Sequence, residues 1–238
     1  SSNRIFAGTY VDARGLNAVD NDITPTKSAI NVTTIGGNAL TSSMRGKWRT
    51  DTLLWGAVQG GEWGSKPHQA YGGVAEVGVK HPSFGGWWLR GGTSVFSGDA
   101  NPNDQKHETF APQITAPRQN WRTPTVTEAN LNEVYLMAIK RNKKETLRIE
   151  AHQYALDKVA DRWYSGGPVF QTTGSFALSG RPSNGFRDLG TMVDASYDVT
   201  LNPRDTVSIY IGYVRGGEIV AASNTGRSAF LGFAQITR

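Results

Sequence analysis

Between residues 189 and 201 the chain alternates without a break. Leu189, Thr191, Val193, Ala195, Tyr197, Val199 and Leu201 hold one parity, and Gly190, Met192, Asp194, Ser196, Asp198 and Thr200 hold the other. A period of two sends successive side chains to opposite faces of an extended strand. Residues 145–155 repeat the pattern, with Leu147, Ile149 and Ala151 set against Arg148, Glu150, His152 and Tyr154. In 206–213, Val207, Ile209, Ile211 and Tyr213 oppose Thr206, Ser208, Tyr210 and Gly212. The same rule predicts strands near 4–12, 28–36, 47–59, 70–80, 87–97, 131–140 and 228–238. Helical periodicity is scarce, so the chain reads as all-β: about ten antiparallel strands in one domain over 1–238.

The connections carry more information than the strands. Residues 37–46, 81–86, 141–144 and 202–204 read as short turns, and 13–27, 60–69, 98–130, 157–186 and 214–227 read as longer loops rich in Gly, Pro, Asn, Asp and Ser. Short and long therefore alternate. An up-and-down transmembrane β-barrel does this, with short turns on the periplasmic side and long loops outside. A soluble sandwich or barrel would also alternate along its strands, with the apolar parity turned to a core.

Composition fits either reading until length is considered. The mean hydropathy is −0.42, and no apolar run approaches the roughly 20 residues of a membrane helix. A membrane strand needs only about 10 residues, half of them apolar, so a barrel averages out as mildly polar. Cysteine is absent, which excludes disulfides and thiolate metal sites. The net charge of +5 is spread along the chain without a basic run, which argues against a nucleic-acid partner. The seven tryptophans, Trp48, Trp55, Trp63, Trp87, Trp88, Trp121 and Trp163, fall mostly near strand ends, where a membrane barrel places an interfacial girdle. Packing beneath loops is the other reading.

Four blocks resemble the alginate-export family of outer-membrane barrels, in order and along nearly the whole chain. They are Ser97-Gly98-Asp99-Ala100-Asn101-Pro102-Asn103-Asp104 with Thr109-Phe110-Ala111-Pro112; Arg187-Asp188-Leu189-Gly190 with Asp194; Leu201-Asn202-Pro203 leading into Ser208-Ile209-Tyr210-Ile211-Gly212-Tyr213; and Phe233-Ala234-Gln235-Ile236-Thr237. The resemblance implies a barrel of about eighteen strands, of which this sequence matches the C-terminal portion. It also implies an outer-membrane channel or exporter passing an anionic polysaccharide. Porin-like passage of small solutes, or a structural sleeve for an envelope complex, are the alternatives. The implied partners are outer-membrane lipid, the polysaccharide, and either missing barrel strands or envelope proteins. Met192 stands where the family often carries an acidic residue.

Parity assigns Arg49, Asp51, Glu76, Arg90, Arg148, Glu150, His152, Asp194 and Asp198 to the lumen. Arginines there would contact sugar carboxylates through paired N–H donors, with acidic neighbours keeping a polyanion from binding too tightly to leave. The alternative is that these charges pair with one another across strands. His152 shares a face with Glu150, but no motif fixes a nucleophile beside it, so no enzyme is expected. Asp99, Asn101, Asn103 and Asp104 cluster hard oxygens without the spacing of a calcium loop and read as Asx turns. No cofactor or metal is expected.

Overall fold

The computed structural model describes residues 2–17, 28–113, 126–166 and 178–238. Ten strands form one antiparallel sheet: β1 (Ser2–Asn17), β2 (Ser28–Arg45), β3 (Trp48–Trp63), β4 (Lys66–Lys80), β5 (Trp87–Phe96), β6 (Leu131–Arg141), β7 (Glu145–Ala155), β10 (Asp188–Thr200), β11 (Thr206–Gly216) and β12 (Ser228–Thr237). A separate small hairpin, β8 (Trp163–Ser165) with β9 (Ser179–Arg181), lies between β7 and β10. One short helix, α1 (Glu218–Ser223), lies between β11 and β12. Each strand of the large sheet pairs with its neighbours in sequence, in the order β1-β2-β3-β4-β5-β6-β7-β10-β11-β12. The sheet is open: among the described residues β1 pairs with β2 alone and β12 with β11 alone.

Alternation divides the sheet into two faces. On β6, Glu133 and Tyr135 are each 1% exposed, whereas Val134 and Leu136 are 61% and 67% exposed. On β10 the even residues Met192, Asp194 and Ser196 are buried and Val193 is exposed, as the alternation predicts. The buried parity forms the inner face of the sheet. It carries a connected apolar cluster that includes Trp55, Val74, Phe96, Leu131, Tyr154, Met192 and Tyr210.

The outer face carries the larger aliphatic side chains, among them Leu54, Val77, Leu89, Leu136, Ile149, Val193 and Ile211, all exposed. On β6 the outward positions Val134, Leu136 and Ala138 lie between Asn132 and Lys140. On β7, Leu147, Ile149 and Ala151 lie between Glu145 and Gln153. The charge-free stretch of these strands is about 25 Å long at roughly 3.3 Å per residue.

Three expectations from sequence are corrected. Residues 37–46 are mostly strand, because β2 runs on to Arg45 and pairs with β3 down to Arg45↔Trp48. Its glycines serve close packing and not a turn: a Cβ on Gly36 would lie 2.4 Å from the Gly56 carbonyl oxygen and 2.6 Å from the Phe6 ring. Residues 60–69 are also mostly strand, closed by a turn at Gly64 and Ser65, so one connection among the long ones is tight. Leu189 is buried instead of sharing the outward face of Val193. The pairing of β10 with β7 shifts between Asp188 and Gly190, and Gly190 sits at φ +129°, so a bulge reverses the parity there.

The β5–β6 connection does not stay outside the sheet. Its described first part, through Gln113, folds across the inner face. His107 donates its N–H to Pro67 and accepts from Gln69, both at 3.0 Å, beside β4. Gln59 of β3 holds Ala111 with both ends of its amide, at 2.6 and 2.8 Å. Gln113 reaches β2, accepting from Thr34 Oγ1 at 3.0 Å and donating to the Val32 carbonyl at 3.3 Å.

Candidate functional site: a charged belt across the inner face

Strand pairing places the inner residues in rows that cross the sheet. One row runs Glu76 (β4), Gly92 (β5), Tyr135 (β6), His152 (β7), Met192 (β10). The next row runs Asp51 (β3), Gly78, Arg90, Met137, Glu150, Asp194. Three of the nine carboxylates and cations named from sequence therefore share one row with Arg90, and two share the other. The rows bring them together in two clusters.

Arg90 centres the first. Its Nε donates to Glu76 Oε1 at 2.7 Å, and its Nη2 contacts both Glu76 Oε1 and, at 2.6 Å, Asp51 Oδ1. Trp88 lies 4.2 Å from the guanidinium carbon as a cation–π partner. Tyr135 crosses β5 to donate to Glu76 Oε2 at 2.7 Å. The crossing requires glycine: a Cβ on Gly92 would sit 2.4 Å from the tyrosine hydroxyl. One guanidinium faces two carboxylates, which keeps it fully engaged within the protein.

His152 centres the second cluster. Glu133 Oε1 lies 2.8 Å from Nδ1, and Ser94 Oγ donates to the other Glu133 oxygen at 3.0 Å. On the opposite edge of the ring, Nε2 lies 3.2 Å from Glu150 Oε2 and 3.9 Å from Asp194 Oδ2. Tyr135 and Tyr154 stack on the imidazole. Arg148 contacts Glu150 Oε1. Asp198 lies apart from both clusters and accepts from Ser208 Oγ at 2.5 Å.

Arg49 joins neither cluster. It lies at the short-turn end, in a cleft also lined by Lys80, Trp88, Ile139 and Arg141. This end of the inner face is basic, while the middle rows are rich in carboxylate. Arg90 and Arg148, both assigned to the lumen by parity, belong to different clusters and each contacts a carboxylate of the chain.

Sequence reading missed Glu133, which holds His152, and Tyr135, which links the two clusters. The available signal was the odd parity of β6, which sets Leu131, Glu133, Tyr135 and Met137 opposite Val134 and Leu136. A carboxylate on the parity facing away from the aliphatic residues belongs with the other inner charges.

At the long-loop end, Asp161 ties the two long connections together. Its Oδ2 accepts from the Asp99 N–H at 3.0 Å and Thr109 Oγ1 at 2.6 Å. Its Oδ1 accepts from the Arg162 N–H at 2.6 Å and the Tyr164 hydroxyl at 2.9 Å. Burial outweighs these four donors and pushes the carboxyl up to about 6. The buried Tyr164 hydroxyl, beside that carboxylate, is pushed up as well. The Asx turns predicted here are present: Asp99, Asn101 and Asp104 side chains accept from the N–H of Asn101, Asn103 and Lys106 at 2.9, 3.3 and 2.8 Å.

The tryptophans divide by position. Trp55, Trp63 and Trp163 are buried, and Trp63 stacks on His107 with centroids 4.2 Å apart. Trp48 is exposed at the short-turn end, stacked on His81, and Lys140 lies over the Trp87 ring. Trp121 lies outside the described residues.

No curated protein matches the chain. The family model for alginate export matches residues 3–233. An antiparallel sheet with charge on one face and aliphatic residues on the other, matched over essentially its whole length, places this chain in the alginate export family, a transport family.

Proposed function

We propose that the sheet is part of a closed outer-membrane β-barrel, completed by further strands, through which an anionic polysaccharide leaves the cell. The observation that carries this reading is the segregation of charge. The inner face holds Arg90, Arg148 and their carboxylates, while the outer face of β6 and β7 presents a charge-free aliphatic band. In water such a band has no reason to stay exposed; against hydrocarbon it is the favourable surface. The basic cleft of Arg49, Lys80 and Arg141 lies at the short-turn end, which an outer-membrane barrel turns to the periplasm. An anionic chain would meet positive charge there first and then the mixed-charge belt, where the arginines are already engaged and release it readily.

The test is conductance in planar bilayers, using the protein with whatever strands complete its barrel. The channel should favour anions, and uronic acid oligomers added on the short-turn side should block the current. Replacing Arg49, Lys80 and Arg141 together by glutamate should move the reversal potential toward cation selectivity. A bilayer that stays silent would favour the structural sleeve. Conduction that ignores the uronic acid oligomers would favour a general pore.

A further inference from the structure

The His152 cluster has the layout of a metal site. We infer that Glu150, His152 and Asp194 bind a divalent transition-metal ion such as Zn²⁺. One ligand atom from each residue lies within 4.8 Å of the other two, and all three residues are buried. The His152 side chain has no exposed surface, and its Nε2 makes no hydrogen bond within the protein. That nitrogen is aimed into the cluster, between Glu150 Oε2 and Asp194 Oδ2. Glu150 Oε2 likewise accepts no hydrogen bond.

The second nitrogen strengthens the case. Metal-bound histidines commonly donate their other N–H to a carboxylate, which fixes the tautomer and the ring orientation. Glu133 is the accepting carboxylate at Nδ1, and Ser94 donates to Glu133 in turn. With Nδ1 protonated, Nε2 carries its lone pair toward Glu150 and Asp194.

Distances and charge agree. Ligand atoms about 2.0–2.1 Å from a tetrahedral Zn²⁺ are about 3.3 Å from one another. The observed 3.2 Å between His152 Nε2 and Glu150 Oε2 meets this, and 3.9 Å to Asp194 Oδ2 needs a small side-chain adjustment. Glu133, Glu150 and Asp194 surround the imidazole with carboxylates, a setting that favours a cation. One imidazole with two carboxylates suits Zn²⁺ or Mn²⁺, with further positions filled by water.

The inference does not depend on what the protein transports. The experiment uses the full chain folded in detergent micelles, stripped with chelator and dialysed against Zn²⁺. Metal analysis should return one zinc per chain. His152→Gln should weaken binding by at least about 100-fold, and Glu133→Gln by about 10- to 100-fold. Thr191→Ala, on the outer face, should leave it unchanged. Co²⁺ in place of Zn²⁺ on the unmodified chain supplies a readout that needs no variant to fold: X-ray absorption should show one imidazole nitrogen among oxygen ligands. Substoichiometric zinc, unaltered binding by His152→Gln, or a cobalt shell with no imidazole or with two would overturn the inference. Two imidazoles would point instead to the His68–His107 pair, whose Nδ1 atoms lie 2.8 Å apart.

Discussion

Arg90 shows how much can hang on one side chain. It lies between Asp51 and Glu76, all three buried, so its removal leaves two carboxylates uncompensated. Breaking a buried pair by deleting one partner costs about 3–5 kcal/mol. Arg90→Met should therefore lower unfolding stability by about that amount in urea titrations, and a loss under about 1 kcal/mol would show that water reaches the belt. Asp161 gives a prediction in pH. Its carboxyl titrates at about 6 in the folded chain against an ordinary value of 3.8. Folding therefore takes up a proton in the window between these values. The contribution of this group to stability is present below about pH 4 and is lost as the pH rises through about 6. Chemical-shift titration of the Asp161 carboxyl should give its midpoint, and one near 4 would show that the four hydrogen bonds outweigh burial. At this scale the sequence was half legible. Parity placed Asp51, Glu76, Arg90, Glu150, His152 and Asp194 on one face, but it could not say that Tyr135 reaches across Gly92 to Glu76. That contact depends on register, which alternation alone leaves open.

At the scale of the strand, β10 is the sharpest test. Its even residues lie on the inner face from Gly190 onward, and Val193 lies on the outer face. If the outer face meets lipid, a spin label at Val193 should report hydrocarbon and one at Ser196 should report water or protein. A water signature at Val193 would contradict the proposed membrane setting. Strands in which one parity is aliphatic and the other polar were read correctly, as in 145–155 and 206–213. The readings of 37–46 and 60–69 as loops were wrong because Gly, Ser and Thr look alike in loops and in closely packed strands. What distinguishes Gly36 is the approach of Gly56 and Phe6 from other strands, and no local pattern records that. The β8–β9 hairpin and α1 were likewise invisible, being too short to show a period.

For the molecule as a whole, the open sheet has its own consequence. If the sheet spans a membrane, as proposed, the outer edges of β1 and β12 carry backbone groups that lipid cannot satisfy. In the proposed barrel they should pair with further strands and not with each other. Amide hydrogens along those two edges should exchange fast in the chain alone and slowly in the complete barrel. Equal protection in both would mean that the edges are already covered. Barrel width rises with strand number, and about eight strands leave an interior filled by side chains, while 16–18 leave a channel. Ten strands that closed on themselves would lie near the filled end.

The connection that folds inward after β5 sets a timetable for making the protein. Among the described residues, the strands of the large sheet pair only with their neighbours in order, so they can be added one after another at a moving edge. Residues 107–113 are the exception, because they reach back to β4, β3 and β2. If the sheet closes into the proposed barrel, a polar segment can no longer enter from the side once the ring is shut. The segment would then have to dock while one flank is still open, before closure. Gln59, with both ends of its amide on Ala111, is the natural catch for that step. Gln59→Leu should slow insertion into bilayers, seen as delayed resistance to unfolding on gels, by more than it lowers the final stability. If the variant inserted at the normal rate, docking would have to follow closure, and the interior would need an opening wide enough to admit it.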